Sequence, residues 1–213
     1  MPRRTEDPTA PVDLATTLSS VLRTLSIDAS AATRDKLITY VIELSRWNTR
    51  INLTGAATPL AFIEGPLFDA LTLLPVLIPA APMVDIGSGG GLPGIPTLLI
   101  SDQTSITLVE PRAKRAAFLR HAVATLDLHA EVETGRIEDI PEGAFNAAVA
   151  QAVFEPLEWI RRARRIVAPQ GHIYVLCASP IPRTESATST IDDLFECCHP
   201  KTGAKRFTYR LTR

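Results

Sequence analysis

The sequence contains few cysteines, few aromatic residues and almost no net charge. Its three cysteines, Cys177, Cys197 and Cys198, are an odd set without the spacing of a disulfide framework, which favours a reducing compartment. The formal net charge is −1, so a nucleic-acid site would have to be a local basic patch. With 46% hydrophobic and 21% charged residues in 213, the composition is that of a globular protein with one sizeable core.

Long uninterrupted apolar segments are absent as well. The arginines at positions 3 and 4 are not followed by an apolar stretch, so no signal peptide is predicted. The most apolar segment, residues 71–87, is interrupted by Pro75, Pro79 and Pro82 and is too short to cross a bilayer. We therefore expect a cytoplasmic protein without a membrane partner.

The sequence pattern changes after the first eighty residues. Residues 12–25 and 31–48 have apolar positions at three- and four-residue spacing, typical of helices, and prolines then divide the chain into short helices and a linker. From Met83, short β-branched runs alternate with helical segments, which predicts an α/β fold with a mostly parallel sheet. We expect a helical extension over residues 1–80 and one compact domain over residues 81–213.

The predicted elements of the second part follow from these runs. Strands are predicted at residues 83–87, 106–110, 130–134, 145–150 and 172–176, and helices at 93–100, 112–126 and 156–167. Residues 178–190 are rich in Ser, Thr and Pro and are predicted to form a loop. Residues 205–212 alternate apolar and polar side chains, which predicts a final edge strand, antiparallel to its neighbour.

The segment MVDIGSGGGLPGIP, residues 83–96, carries the strongest functional signal. A glycine-rich turn between a strand and a helix lets backbone N–H groups approach a ligand closely. Read as Gly89, Gly91 and Gly94, it matches the dinucleotide pattern GxGxxG, which leaves a nicotinamide-dependent oxidoreductase as an alternative. Read from the strand end, it is Asp85 followed by glycines at 87, 89 and 91.

We favour the second register, because it starts where the strand ends and leaves proline to open the helix. An acid at this strand end suits a cationic ligand group, so the predicted ligand is S-adenosylmethionine, with its amino group at Asp85. Glu110 ends the second strand, where an acid can accept hydrogen bonds from ribose hydroxyls. In GRIEDI, Ile137 is predicted to pack on adenine, and Glu138 or Asp139 to accept from its amino group.

These residues and WNTRINLT at 47–54 resemble the small-subunit ribosomal RNA methyltransferase G family, also called glucose-inhibited division protein B. The resemblance extends over about residues 35–172, through WNTRINLTG, DIGSGGGLPGIP, VEPRAKRAAFLR and GRIEDI in order. It implies a Rossmann-like, seven-stranded methyltransferase sheet with an N-terminal helical extension. It also implies S-adenosylmethionine as donor and N7 of a guanosine in 16S ribosomal RNA, free or in the small subunit, as acceptor.

The resemblance further implies roles for individual residues. The donor contacts it implies, together with those read from the turn, are Asp85, Gly87, Ser88, Gly89, Gly91, Leu92, Glu110, Ile137, Glu138 and Gln151. On the acceptor side, Lys114 and Arg115 are expected to meet RNA phosphate, and Asp69 to bridge the extension and the pocket. Asn48 and Asn52 are candidates for the acceptor side, with capping of a helix end as the alternative. We expect a monomer.

Three basic positions of the family pattern are missing. Gly65-Pro66 stands where the family commonly has Arg-His, and Gln151 and Cys177 stand where it has Arg and Lys. Glutamine cannot replace the bidentate, charge-assisted bonds of a guanidinium. An alternative function is therefore a donor-binding homologue with a changed acceptor or without RNA methylation, unless other basic residues compensate.

No metal and no general base are expected. Cys197-Cys198-His199 are three adjacent residues without a fourth ligand at a typical spacing. Guanine N7 has an in-plane lone pair and no proton, so its methylation requires positioning and exclusion of water rather than proton transfer. We therefore assign no catalytic acid, base or nucleophile.

Overall fold

The computed structural model describes residues 13–101, 105–181 and 191–213. The start of the first predicted helix and most of the predicted loop 178–190 lie outside these residues. The α-helices are Leu14–Thr24 (α1), Ala31–Ile51 (α2), Pro59–Phe62 (α3), Phe68–Leu71 (α4), Gly94–Ile100 (α5), Ala113–Thr125 (α6) and Pro156–Ile166 (α7). A π-helical turn, Ile63–Leu67, joins α3 to α4, and 3-10 turns occupy Leu74–Val76 and Ile137–Asp139.

Seven strands form one mixed sheet within the described residues. They are Met83–Ile86 (β1), Ile106–Val109 (β2), Ala130–Glu133 (β3), Phe145–Ala150 (β4), Val167–Cys177 (β5), Ile191–Cys198 (β6) and Lys205–Thr212 (β7). The order across the sheet is β3-β2-β1-β4-β5-β7-β6. Strands β1 to β5 run parallel to one another, and β7 is antiparallel to both β5 and β6. The predicted Rossmann-like α/β architecture and the antiparallel direction of β7 are confirmed.

The predicted edge position of β7 is wrong, because β7 lies between β5 and β6. Strand β6 itself was not predicted. Its side chains alternate between exposed and half-buried, and none of those from 191 to 197 is fully buried. With acids at 192, 193 and 196, the segment lacks the continuous apolar signal of the buried strands.

The helical extension and the sheet share one apolar core. Leu37, Tyr40 and Leu44 of α2 are at most 1% exposed and belong to the same buried cluster as Ile95 of α5 and Phe118 of α6. Ser30 is the N-cap of helix α2, and its hydroxyl accepts a hydrogen bond from the N–H of Thr33 at 3.0 Å. This packing holds α2 across the carboxyl ends of the central strands, where parallel α/β sheets place their ligands.

By length and composition, one helical segment within the described ranges, Pro59–Val76, would suffice to cross a membrane. Half of this segment is buried inside the protein. Its side chains Phe62, Ile63, Leu67 and Phe68 are 0% exposed and form part of the shared core. Packing in the core therefore accounts for its apolar composition.

Candidate functional site

A cavity of about 560 Å³ lies at the carboxyl ends of β1, β2 and β4, between the sheet and the helical extension. Pockets of this size accommodate small ligands. Its walls combine residues of the glycine turn, of the turn after β2, of the turn after β4 and of the extension. They are Leu44, Leu53, Thr54, Phe62, Gly65, Pro66, Asp69, Gly87, Ser88, Gly89, Gly90, Leu92, Glu110, Pro111, Arg112, Arg115, Gln151, Ala152 and Val153.

The turn from β1 to α5 requires glycine at specific positions. Gly87 has φ of +70°, and a Cβ there would lie 2.7 Å from a methyl of Val153. A Cβ at Gly94 would lie 2.4 Å from Leu108 of β2, which would separate α5 from the sheet. The strand ends at Ile86 and α5 begins directly after Pro93, which agrees with the element boundaries expected for the preferred register.

Glu110 holds the glycine turn from the end of β2. Its Oε2 accepts a hydrogen bond from the N–H of Gly89 at 3.0 Å, and its Oε1 accepts one from the N–H of Arg112 at 2.9 Å. The side chain is 3% exposed but still lines the cavity. Each oxygen retains lone-pair capacity, so the carboxylate can also accept hydroxyl hydrogens from a ligand. The predicted ribose role is compatible with this position.

Asp85 lies below the turn rather than in the cavity wall. It is 0% exposed, and its Oδ2 accepts a hydrogen bond from the N–H of Gly94 at 3.1 Å, while its Oδ1 is buried without a partner among the described residues. Burial, with a smaller contribution from the nearby Glu110 carboxylate, raises the pKa of this carboxyl to about 8. Asp85 therefore supports the turn from beneath and does not line the cavity that a ligand amino group would enter.

Three other predicted donor contacts also lie outside the cavity walls. Gly91 is buried with φ of +91° and packs on Ile95. Ile137 is 5% exposed within the second apolar cluster, and Glu138 forms an ion pair with Arg162 at 2.6 Å. The cavity contains the remaining predicted contacts Gly87, Ser88, Gly89, Leu92, Glu110 and Gln151.

The two asparagines of the extension lie at the end of α2. Asn48 Oδ1 accepts hydrogen bonds from the N–H groups of Leu53 and Thr54 at 2.6 and 2.9 Å. Asn52 is the left-handed residue that ends α2, with φ of 42°, and its carbonyl accepts from Arg115 at 2.9 Å. The capping alternative therefore describes both residues, and neither lines the cavity.

Another part of the cavity wall contains Asp69, Gly65, Pro66 and Gln151. Asp69 Oδ1 accepts a hydrogen bond from Arg206 Nε at 2.6 Å, which joins α4 to β7. Gln151 Nε2 donates to the Pro66 carbonyl at 3.3 Å, and its Oε1 is buried without a partner in the described part of the chain. Two of the three missing basic positions, Gly65 and Gln151, thus face the cavity, whereas Cys177 does not.

A second depression, of about 370 Å³, lies beside the cavity at the end of α2 and the start of α6. We call it the basic cleft, because four of its seven lining residues are basic. It is lined by Arg50, Ile51, Asn52, Arg112, Ala113, Lys114 and Arg115. Arg112 and Arg115 line both the cleft and the cavity, so the two are adjacent.

The other basic runs are largely engaged within the protein. Arg162 pairs with Glu158 and Glu138, and Arg165 donates to the carbonyls of Ile137 and Ile140. Near the C-terminus, lysines 201 and 205 pair with Glu64 and Glu196, and Arg210 pairs with Asp193. These side chains satisfy local acids and carbonyls, which distinguishes them from the cleft.

Several cavity residues were not predicted from the sequence. Leu53, Thr54 and Phe62 come from the extension and Val153 from the turn after β4. Leu53 and Thr54 lie within the WNTRINLT motif, which therefore contributes to the cavity wall, although neither of its asparagines lines the cavity. Phe62 and Val153 are ordinary apolar residues that no sequence motif marks, and only the tertiary packing places them in the cavity wall.

No group of three or more His, Cys, Asp or Glu side chains that could hold a metal ion occurs among the residues the structure describes. His199 of the Cys-Cys-His segment packs its ring 4.8 Å from that of Phe68 and hydrogen-bonds the Glu64 carbonyl. His121 hydrogen-bonds Glu43 at 2.9 Å, and neither histidine lines the cavity.

Comparison with known proteins identifies related sequences over most of the chain. A family model described as rRNA small subunit methyltransferase G matches residues 33–195. A protein of Desulfotalea psychrophila is 40% identical over 132 residues, which cover 61% of each chain. One of Anaeromyxobacter dehalogenans is 34% identical over 170 residues, 78% of this chain and 79% of the relative. Both relatives are named ribosomal RNA small subunit methyltransferase G.

Solved structures with similar folds are methyltransferases. The 1,6-didemethyltoxoflavin-N1-methyltransferase of Burkholderia thailandensis, with bound S-adenosylhomocysteine, has a TM-score of 0.53 at 15% identity, over 88% of this chain and 93% of that one. An S-adenosylmethionine-dependent methyltransferase from Aquifex aeolicus has a TM-score of 0.52 at 14% identity, over 71% and 92%. At these identities the likeness establishes the fold.

Proposed function

Since the chain belongs to the rRNA small subunit methyltransferase G family, we propose that it methylates N7 of a guanosine in 16S ribosomal RNA. It is an S-adenosylmethionine-dependent methyltransferase by that membership and by its fold. The single observation that carries the proposal is the cavity, which joins an intact donor turn to an open basic cleft through shared residues. The nicotinamide alternative has no comparable support, because the strand-end register fits the turn geometry.

The residues of the cavity fit the donor. Because Gly87 has no side chain, the turn can lie close to Val153. Glu110 presents a carboxylate at the end of β2. Ser88, Gly89 and Leu92 would line the donor, with Glu110 accepting from the ribose. When bound, S-adenosylmethionine supplies an electrophilic methyl group on a sulfonium.

The role of the protein in the transfer is to position the acceptor and to exclude water. Guanine N7 has a lone pair in the ring plane and no proton to remove, so no general base is needed. Leu44, Leu53 and Phe62 give the side of the cavity formed by the extension an apolar surface. Such a surface excludes water and strengthens each polar contact made inside it.

RNA phosphate would bind in the basic cleft. Arg50, Arg112 and Lys114 are exposed there, with no acidic partner in the part of the chain that the structure describes. Arginine and lysine contacts to phosphate supply most sequence-independent affinity for nucleic acid. Because the cleft lies beside the cavity, RNA bound there can direct a base towards the donor. This arrangement supports retained RNA methylation rather than a lost activity, despite the missing basic trio.

Methyl transfer from labelled S-adenosylmethionine to small-subunit RNA and to intact small subunits lacking the modification tests the proposal. We expect labelled N7-methylguanosine with the native chain. The Glu110→Gln variant should lose donor affinity by about 10-fold or more, since its NH₂ group would face an N–H donor of the turn. Native donor binding without transfer to either RNA form would contradict the proposal and favour the alternative of a changed acceptor.

Two further properties follow from this function. A protein that modifies ribosomal RNA in a bacterium is expected in the cytoplasm, in agreement with the reduced cysteines at 177, 197 and 198. We also propose that it acts as a monomer, since the donor turn, the acceptor wall and the basic cleft all come from one chain.

A further inference from the structure

The part of the cavity wall formed by the helical extension and the turn after β4 carries a partly exposed carboxylate. Asp69 is on α4 and its side chain is 33% exposed. Its Oδ1 is occupied by Arg206 Nε at 2.6 Å, whereas Oδ2 receives no hydrogen bond from the described residues. Arg206, which is only 21% exposed, thereby fixes the orientation of the carboxylate and leaves one oxygen available.

The neighbouring polar groups of this wall are also acceptors. Gln151 donates from its NH₂ group to the Pro66 carbonyl at 3.3 Å, and its Oε1 is buried and receives no hydrogen bond from the residues that the structure describes. Burying an acceptor without a donor costs free energy, and such acceptors commonly bind a ligand or a water molecule. Asp69 and Gln151 therefore give this wall two acceptor oxygens that can bind hydrogen-bond donors of a ligand.

Guanine offers such donors on one edge. Its N7 and O6 are acceptors, while N1–H and the 2-amino group are donors on the edge away from N7. When N7 faces a methyl group on one side of a cavity, the donor edge faces the other side. Adenine has no donor pair on the corresponding edge, because its N1 is an acceptor. Enzymes that act on a base outside the helix often read this edge by hydrogen bonds.

We propose that Asp69, positioned by Arg206, selects guanine by accepting hydrogen bonds from its N1–H and 2-amino groups, with Gln151 Oε1 as a second acceptor. The proposal rests on the proposed function, since it names the group that recognises the acceptor base. Glutamine in place of arginine at position 151 would then change the contact with the base. Gln151 would accept a hydrogen bond from the base, whereas an arginine would donate one.

The test compares two acids of the same helical segment. Asp69→Asn keeps an oxygen for Arg206 but replaces the available oxygen by an NH₂ group, which would face the guanine donors. Glu64→Gln is the matched control, because Glu64 pairs with Lys201 at 2.6 Å and does not line the cavity. Each variant is assayed for donor affinity, melting temperature, and kcat/KM for methyl transfer to small subunits lacking the modification.

For Asp69→Asn we expect kcat/KM to fall by about 30-fold or more, with donor affinity within about twofold of the native value. Glu64→Gln should transfer at the native rate. An Asp69→Asn variant with more than half of the native kcat/KM would overturn the proposal. A native chain that transfers no methyl group at all would instead refute the proposed function, which separates the two failures.

If Asp69→Asn folds poorly, a modified substrate tests the proposal with the native chain. Small subunits carrying inosine at the methylated position lack only the 2-amino group. The native chain should transfer to inosine about 10-fold more slowly than to guanosine. Equal rates on the two bases would overturn the proposal, as would methylation of adenosine at the same position.

Discussion

Among single residues, Asp85 is an acid that folding places away from water. Its carboxyl is fully buried, and this burial raises its pKa from 3.8 to about 8. The sequence predicted Asp85 as a donor contact, because an acid lies near the end of β1, whereas the structure places it outside the cavity wall. Its exact position was not predictable, because only the packing of α5 on β2 decides whether the carboxyl faces the ligand or the Gly94 N–H.

The buried carboxyl predicts how stability depends on pH. The native state holds a proton on Asp85 up to about pH 8, whereas the unfolded state loses it near pH 4. The contribution of this group is therefore fully present below about pH 4 and is lost as pH rises to about 8. Asp85→Asn should flatten this decline and raise the free energy of unfolding at pH 8 relative to the native chain.

Urea unfolding between pH 5 and pH 8.5 measures this effect. Asp35→Asn, which removes an exposed acid of α2, is the control and should leave the slope unchanged. An Asp85→Asn variant that declines with pH as steeply as the native chain would show that Asp85 is not the group responsible.

Among the elements, α2 does more than cover the sheet. Its Tyr40 is 0% exposed, and the hydroxyl donates a hydrogen bond to the Gly90 carbonyl at 2.6 Å. The helical extension thus holds the outer side of the donor turn, and Glu110 holds its inner side. Neither link was visible in the sequence, since a tyrosine on the apolar stripe of a helix predicts only burial.

Tyr40→Phe should destabilise the protein by about 1–3 kcal/mol, because the buried Gly90 carbonyl would lose its donor. It should also weaken donor affinity several-fold through a less rigid turn. Tyr209→Phe is the control, since its hydroxyl accepts from the Ile181 N–H at 3.3 Å, away from the turn. Calorimetric titration with S-adenosylmethionine distinguishes them: equal donor affinities of the two variants would contradict a role of α2 in holding the turn.

The strands differ in how clearly the sequence predicts them. The buried strands β1 and β2 have every side chain buried, and their β-branched runs identified them directly. Within the described residues, strand β6 pairs only with β7, and its residues alternate between exposed and half-buried, so its pattern is close to that of a loop. The error in placing β7 at the edge follows from this single omission.

For the whole molecule, the distribution of charge matters more than its sum. A net charge of −1 gives no general attraction for RNA, yet the basic cleft concentrates four basic residues beside the cavity. The sequence predicted Lys114 and Arg115 for phosphate contact, whereas Arg50 and Arg112 join them only because α2 ends against α6. Contacts between distant segments of this kind cannot be derived from local patterns.

Replacing Arg112 and Lys114 by glutamine should weaken binding to small-subunit RNA and reduce its dependence on salt. Removing one basic side chain that neutralises a phosphate lowers the slope of log affinity against log salt by about 1. Arg161→Gln is the control, because Arg161 is an exposed arginine of α7 outside the cleft. The slope is measured by titrating RNA at several salt concentrations. An unchanged slope in the cleft variant would place the RNA elsewhere on the surface.

The most direct test of the central claim is the modification state of ribosomal RNA in a strain lacking this protein. Mass spectrometry of nucleosides from 16S ribosomal RNA should show the loss of one N7-methylguanosine. Expression of the native chain should restore it, and expression of Glu110→Gln should restore little of it. Ribosomal RNA with the same N7-methylguanosine content with and without the protein would contradict the proposed function.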